Sequence, residues 1–256
     1  MSEKLHTSAL EIAWSSAPWD EVVCGFPVLQ ITTLKVHGLQ AEADMQKFES
    51  ERDDLSVGLV SCRLPHDCLK ESMFLEDRGF RFIEMVYTPE LDLAVFRTKN
   101  DVELLVVDRA GEEDMPKLLD IARTAFQSER FKMDIRLDPH ISNQRFQNWI
   151  SSSLHHATQE LYVIRDGIRI IAFFVTEVLS DGICYWHLNA VAPDAQGQGY
   201  GRRAWLSMIH LAASSGARGI RTSIAARNHR VINLYARLGF TFWPPTMTFH
   251  WVRTQS

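Results

Sequence analysis

The sequence predicts an α/β (α+β) fold in two parts, on three observations. Segments with apolar residues at every second position alternate with segments whose apolar residues recur three and four apart, so strands and helices follow one another along the chain. The apolar segments 161–165, 168–179 and 183–191 are joined at Asp166-Gly167 and Asp181-Gly182, which is hairpin-turn chemistry and makes them a meander. The last of these runs through Val191-Ala-Pro-Asp-Ala-Gln-Gly-Gln-Gly-Tyr-Gly201 into an amphipathic helix that opens at Gly201 or Arg202. Glycine at every second position there lets the backbone take left-handed or crowded conformations, so successive N–H groups converge, and the helix adds the positive end of its dipole. A diphosphate is the guest such a cradle suits.

Taken in order, residues 26–36 read as a strand, 41–51 as a helix, 55–63 as a strand and 67–77 as a helix that Gly79 ends in a left-handed cap. Strands at 80–87 and 91–96 follow, and the polar interval Thr98 to Asp101 is the expected boundary between domains 1–100 and 101–256. Beyond it, 102–107 reads as a strand, 112–126 as a helix with Met115, Leu118, Leu119 and Ala122 on one face, 127–142 as a polar loop and 146–154 as a helix. After the meander and the glycine turn, the helix to Ser215 buries Trp205, Leu206, Ile209, Ala212 and Ala213 and stops at Gly216. A strand at 220–225, a helix capped by Asn228 and a strand at 247–252 complete the chain.

Composition narrows the function. Of 256 residues, 46% are hydrophobic and 23% charged, enough for a packed core in a water-soluble chain. Met1 to Ser16 lacks a basic stretch followed by an apolar run, so the chain reads as cytoplasmic with no membrane partner. Cys24, Cys62, Cys68 and Cys184 have no metal-like or disulfide-like spacing and read as reduced, buried thiols; no metal is expected. A net charge of −5 argues against nucleic acid, yet from Val191 onward eight arginines face one acid, Asp194, which suits a polyanionic small molecule.

The run Gln196-Gly197-Gln198-Gly199-Tyr200-Gly201 resembles the pyrophosphate loop of the GNAT acetyltransferases, and Asn228-His-Arg-Val-Ile-Asn-Leu-Tyr235-Ala-Arg-Leu-Gly239-Phe240 resembles the helix that follows it in that superfamily. The resemblance covers about residues 102 to 252. It implies a GNAT fold, with a mixed, mostly antiparallel sheet flanked by helices, and acetyl-coenzyme A as co-substrate. It further implies that the coenzyme is held by Gln196, Gly197, Gln198, Gly199, Tyr200, Gly201 and Arg202, by Asn228, and by free strand amides at Asn189, Ala190 and Val191. Tyr235 matches the tyrosine that lies near the sulfur and is the expected acid for the departing thiolate. His187, two residues before Asn189 on the same strand face, is the candidate base; a water relay is the alternative. Arg78-Gly79-Phe80-Arg81-Phe82 echoes Leu238-Gly239-Phe240-Thr241-Phe242, so the front domain resembles a partial GNAT repeat, one that lacks a glycine loop and has Leu75 where the later helix has Tyr235. Dimerisation, sheet extension or walling the acceptor pocket are the roles open to it.

Pro18-Trp19-Asp20, Gly25-Phe26-Pro27-Val28, the Gly79-Phe80 element, Arg130-Phe131, Asp138-Pro139 and Thr248-Phe249-His250-Trp251 together resemble the TDP-fucosamine acetyltransferase family, although Glu21 to Cys24 stand where an aromatic pair often precedes the glycine. That resemblance implies an acceptor amine on a nucleotide-linked amino-deoxy sugar. Arg130, Phe131, Lys132, Asp134 and Arg136 are the candidate acceptor loop, the cations for a sugar diphosphate and the acid for an amine or hydroxyls. A peptide or protein amine as acceptor, or an acyl-coenzyme A binding module without activity, are the other function classes.

Overall fold

The computed structural model describes residues 2–97 and 102–253. Among these the elements run β1 (Ser2–His6), β2 (Leu10–Ser16), α1 (Pro18–Cys24), β3 (Val28–Val36), α2 (Ala41–Asp54), β4 (Leu59–Pro65), α3 (Leu69–Asp77), β5 (Arg81–Asp92), β6 (Val106–Arg109) and α4 (Met115–Ala125). Then follow α5 (Arg130–Met133), α6 (Pro139–Ser153), β7 (Gln159–Asp166), β8 (Arg169–Val178), β9 (Ile183–Val191), α7 (Tyr200–Ser214), β10 (Gly219–Thr222), β11 (Ile224–Ala225), α8 (His229–Arg237) and β12 (Thr241–Val252). Most pairings are antiparallel, and the sheet is flanked by helices as the sequence predicts.

The chain divides into two compact units, neither continuous in sequence: Met1–Val86 with Glu129–Ile141 and Pro244–Ser256, and Tyr87–Ser128 with Ser142–Trp243. The expected boundary at 98–101 lies outside the described residues, and the two units interleave in sequence. The reason is strand exchange. In the first unit β4 pairs antiparallel with the chain's last strand, from Pro65↔Thr246 to Leu59↔Val252. In the second, β10 pairs antiparallel with the end of β5, from Gly219↔Asp92 to Arg221↔Glu90.

The first unit packs Leu10, Ile12 and Trp14, alternate residues of β2, with Phe48 of α2, Leu75, Phe80 and Phe249. Trp14 meets Phe48 edge-on at 5.1 Å and donates its indole N–H to Glu51 at 3.1 Å, so its polar atom is satisfied while its ring is buried. A smaller cluster joins Ala17, Val28 and Leu59 to Phe131, Leu137 and Ile141. The segment 127–142 is therefore not a polar loop: α5 and the start of α6 lie in it, because Phe131, Leu137 and Ile141 form an apolar face that helical turns bury.

In the second unit, Phe174 of β8 lies edge-on to Trp186 of β9 at 4.9 Å and to Trp205 of α7 at 4.7 Å, fixing that helix on the meander. The two Asp-Gly turns form as expected, with Gly167 at φ 58° and Gly182 at φ 80°.

The units repeat one motif. In each, a nine-residue strand pairs in parallel with a later strand over four residues, Val28↔Leu59 to Ile31↔Cys62 and Ile183↔Gly219 to Trp186↔Thr222, and continues for five more without that partner. In each, a nine-residue helix, α3 or α8, closes in the same way: Phe80 N–H donates to Leu75 O and Phe240 N–H to Tyr235 O, with Gly79 at φ 80° and Gly239 at φ 89°. Leu75 and Tyr235 thus hold equivalent places, both buried.

Candidate active site

The site is built on the fork between β9 and β10. Pairing stops at Trp186↔Thr222, where the Thr222 hydroxyl donates to Trp186 O at 2.7 Å, and from His187 to Val191 β9 keeps β8 on one edge and no strand on the other. Ala192 N–H donates to Ile171 O on the β8 side, so strand alternation turns the N–H groups of Asn189 and Val191 to the unpaired edge. The first unit supplies a control. There His37 N–H donates to Ala9 O, and the preceding amide, Val36 N–H, is met at 3.0 Å by the Glu71 carboxylate of α3. The third residue of α8, matching Glu71, is Val231, which has no acceptor to offer. Among the described residues no side chain or loop carbonyl accepts from Val191 N–H.

Beyond Val191 the loop makes its cradle. Residues 193–195 form one short helical turn, Gly197 stands at φ 78° and Gly199 at φ 84°, and Gly199 is the N-cap of α7, which opens at Tyr200, one residue before the sequence suggests. A Cβ at Gly197 or Gly199 would meet nothing within 4 Å, so these glycines are required by backbone conformation and the space above them is open. Gln196 is committed inward by its amide to Val191 O at 3.2 Å, and Gln198 by its own to Asp194 O at 2.8 Å. Tyr200 donates to Asp166 at 2.6 Å; Arg202 is exposed on the first turn of α7. Asp194, the one acid in this stretch, is faced by Lys117 at 3.7 Å and Arg169 at 3.5 Å. Exposed amides at the positive end of a fifteen-residue helix fit a diphosphate.

Asn228 is the N-cap of α8, its Oδ1 accepting Val231 N–H at 3.3 Å. That helix carries Tyr235 to the fork: the ring is 1% exposed, packed on Trp205 and Phe240, and its hydroxyl donates to Asn189 Oδ1 at 3.5 Å, a long bond. Burial pushes the phenol up to about 12. His187 is the first residue past the fork and the extra residue of a β-bulge, since Thr176 pairs with Trp186 and Val175 with Leu188. Its Nε2 lies 2.8 Å from Glu177 of β8, with the Tyr185 ring at 4.8 Å and the Trp149 ring at 5.9 Å. Sequence reasoning misses these three neighbours, because the bulge that brings Glu177 to His187 leaves no signature in the spacing.

The expected acceptor loop is occupied with structure. In the first unit, Arg130 pairs with buried Asp20 at 2.9 Å, Phe131 is 1% exposed, and Asp134 accepts from Arg136 at 2.8 Å and from the His250 ring at 3.0 Å. Burial would raise the Asp134 carboxyl, but the hydrogen bonds from Arg136 and His250 outweigh it and hold the group well below the usual carboxylate range. Lys132 alone of the five has no bond from its ammonium among the described residues. Among the described residues no helix is long and apolar enough to cross a membrane, and no three metal-ligating side chains converge.

Comparison with known proteins agrees with this architecture. Residues 116–240 match the family model described as the acetyltransferase (GNAT) family. The spore coat polysaccharide biosynthesis protein SpsD of Bacillus subtilis (strain 168) is 25% identical over 128 residues, which is 50% of this chain and 44% of that one, so the chain matches less than half the length of this curated relative. A conserved Staphylococcus epidermidis protein of unknown function superposes with a TM-score of 0.67 at 13% identity, over 99% of this chain and 95% of that one. A GCN5-related N-acetyltransferase from Sphaerobacter thermophilus gives 0.64 at 12% identity, over 96% and 81%.

Proposed function

We propose, from the match of residues 116–240 to the GNAT acetyltransferase family, that the protein transfers the acetyl group of acetyl-coenzyme A to a primary amine on a small molecule, a nucleotide-linked amino-deoxy sugar. The observation that carries the first half is the fork, where a free Val191 N–H, a buried phenol and an open glycine cradle lie on successive elements of one unit. The sugar half is supported by the polysaccharide-biosynthesis name of the relative from Bacillus subtilis and by the motif resemblance of the front half.

Acetyl-coenzyme A supplies an acetyl thioester. Gln196 to Arg202 would hold its diphosphate through backbone amides, and Asn189 and Val191 N–H would take up carbonyl oxygens along the fork, where a donor fixed in advance favours charge that develops in the reaction. The amine nitrogen bonds to the acetyl carbon as the carbon–sulfur bond breaks; the amine's proton passes to His187, and the Tyr235 hydroxyl supplies a proton to the departing sulfur. Buried Tyr235 with its donor aimed at the fork also speaks against a silent binding module.

Thiol release from acetyl-coenzyme A, measured with an amino-sugar nucleotide, the free amino sugar, peptides and no amine, tests both halves. The amino-sugar nucleotide should give the largest kcat/KM, and Gly199→Val, forced to φ 84°, should lose coenzyme binding by calorimetry. Release no faster with any amine than without one would overturn the activity, and a preference for peptides the acceptor class.

A further inference from the structure

We infer that Glu177 is a positioning residue for the transfer proposed above: its carboxylate accepts His187 Nε2–H and so leaves Nδ1 as the basic nitrogen that takes the proton of the amine. The inference rests on that reading of the site.

Three independent features converge on the pair. His187 stands where β10 leaves β9, so its backbone is the first with an open edge beside it. It is also the extra residue of the bulge, a device that re-aims a side chain from the ladder. Its ring is half-enclosed, 19% exposed, with Trp149 of α6 and Tyr185 of β9 beside it, and Glu177 is 23% exposed, so the pair is sheltered but reachable. Glu177 is itself held. Contacts from Thr158 and then from the His187 ring keep its carboxyl below the ordinary glutamate value, so it is an anion at neutral pH. Thr158 is in turn fixed by its N–H on His156 Nδ1 at 3.2 Å.

A carboxylate on one ring nitrogen settles the tautomer, because only an N–H can face it; the other nitrogen then carries the lone pair. It also steadies the imidazolium that forms when the amine proton arrives. Among the described residues no hydrogen bond reaches His187 Nδ1. The charged and titratable groups facing this corner are Glu177 on β8 with His156 behind it, Tyr185 on β9, Arg221 on β10, which is neutralised by Glu90 at 2.7 Å and Asp181 at 3.8 Å, and Arg145 on α6, stacked 5.5 Å over the Trp149 ring. Glu177 is thus the one anion bonded to the imidazole.

The test is a double-mutant cycle on the full chain with Glu177→Gln, His187→Gln and both, read as kcat/KM for the amine against pH and as KM for acetyl-coenzyme A. Glu177→Gln should lower kcat/KM at pH 7 by about 10- to 100-fold, move the acidic limb to lower pH and leave the coenzyme KM within about twofold. In the His187→Gln background the same change should cost nothing further, since a residue acting through another has nothing left to position. An unmoved limb, or losses that multiply, would overturn the inference while the wild type still transfers acetyl groups. Should the wild type transfer to no amine at all, the reading of the site falls first and the positioning role with it.

Discussion

Tyr235→Phe separates the chemistry at the fork from its packing. The ring is fully enclosed by Trp205, Phe240 and neighbouring apolar groups, and phenylalanine fills the same space; what is removed is the hydroxyl, with its 3.5 Å bond to Asn189 and its contacts with Trp205 and Thr222. A bond that long contributes no more than about 1 kcal/mol, so urea unfolding should shift by that or less. Turnover should respond far more. Passing a proton from a phenol held at about 12 to a thiolate whose thiol titrates near 8.5 is uphill by about 5 kcal/mol if complete before the bond breaks. In the proposed transfer Tyr235 is then a hydrogen-bond donor that completes the proton transfer only as the sulfur leaves, which puts the expected loss of kcat at about 10²-fold, the low end for a general acid. Single-turnover acetyl transfer measures that step, and isothermal calorimetry should find acetyl-coenzyme A binding unchanged. A phenol at about 12 also predicts no alkaline limb from this residue below about pH 11. Wild-type single-turnover rates in Tyr235→Phe would refute the assignment, and an equal loss of coenzyme affinity would show that the hydroxyl binds rather than reacts.

Two further predictions concern the first unit. Truncation after Trp243 removes the strand paired with β4, including Phe249 and Met247, whose burial stabilises by about 2 kcal/mol each; with the ladder lost as well, the unit should unfold, seen as rapid proteolysis within 1–86, and a protease-resistant truncated chain would contradict the exchange. His250 is fully buried and pushed down to about 4, chiefly by burial, so its neutral form is favoured in the fold: stability present above about 6.5 should fall by about 2 kcal/mol between pH 7 and 5, and in His250→Gln that dependence should flatten in urea titrations.

Much of the second unit was legible because its signals are local. A turn glycine, a helix cap and a 3.6-residue period each act within a few residues, so the meander, the cradle, the Asn228 cap and the Gly239 closure follow from spacing alone. The period-two run Leu10, Ile12, Trp14 is an equally local signal, and it forms β2. Pairings between distant segments are a different matter. Nothing in Pro244 to Val252 says that its partner is β4, 185 residues back in the case of Arg63 and Thr248, because an apolar strand carries no record of which edge it joins. The contacts of the acceptor loop are hidden for the same reason: Asp134 and Arg136 look solvent-facing until the last strand brings His250 against Asp134.

Comparison of the two forks shows what the first unit gave up. Four residues link β3 to α2 where eight link β9 to α7, so there is no length for a cradle, and Gln40, the cap of α2, sits in helical rather than left-handed conformation. The phenol is replaced by Leu75, and Glu71 meets the amide of Val36, the counterpart of Val191. The last change is the most telling physically. A buried N–H without an acceptor costs about 1–3 kcal/mol, so the Glu71 carboxylate stabilises the first fork by meeting the Val36 amide. By the same reasoning, Val231, which stands in α8 where α3 has Glu71, offers the Val191 amide no carboxylate and leaves it for the thioester of the proposed transfer.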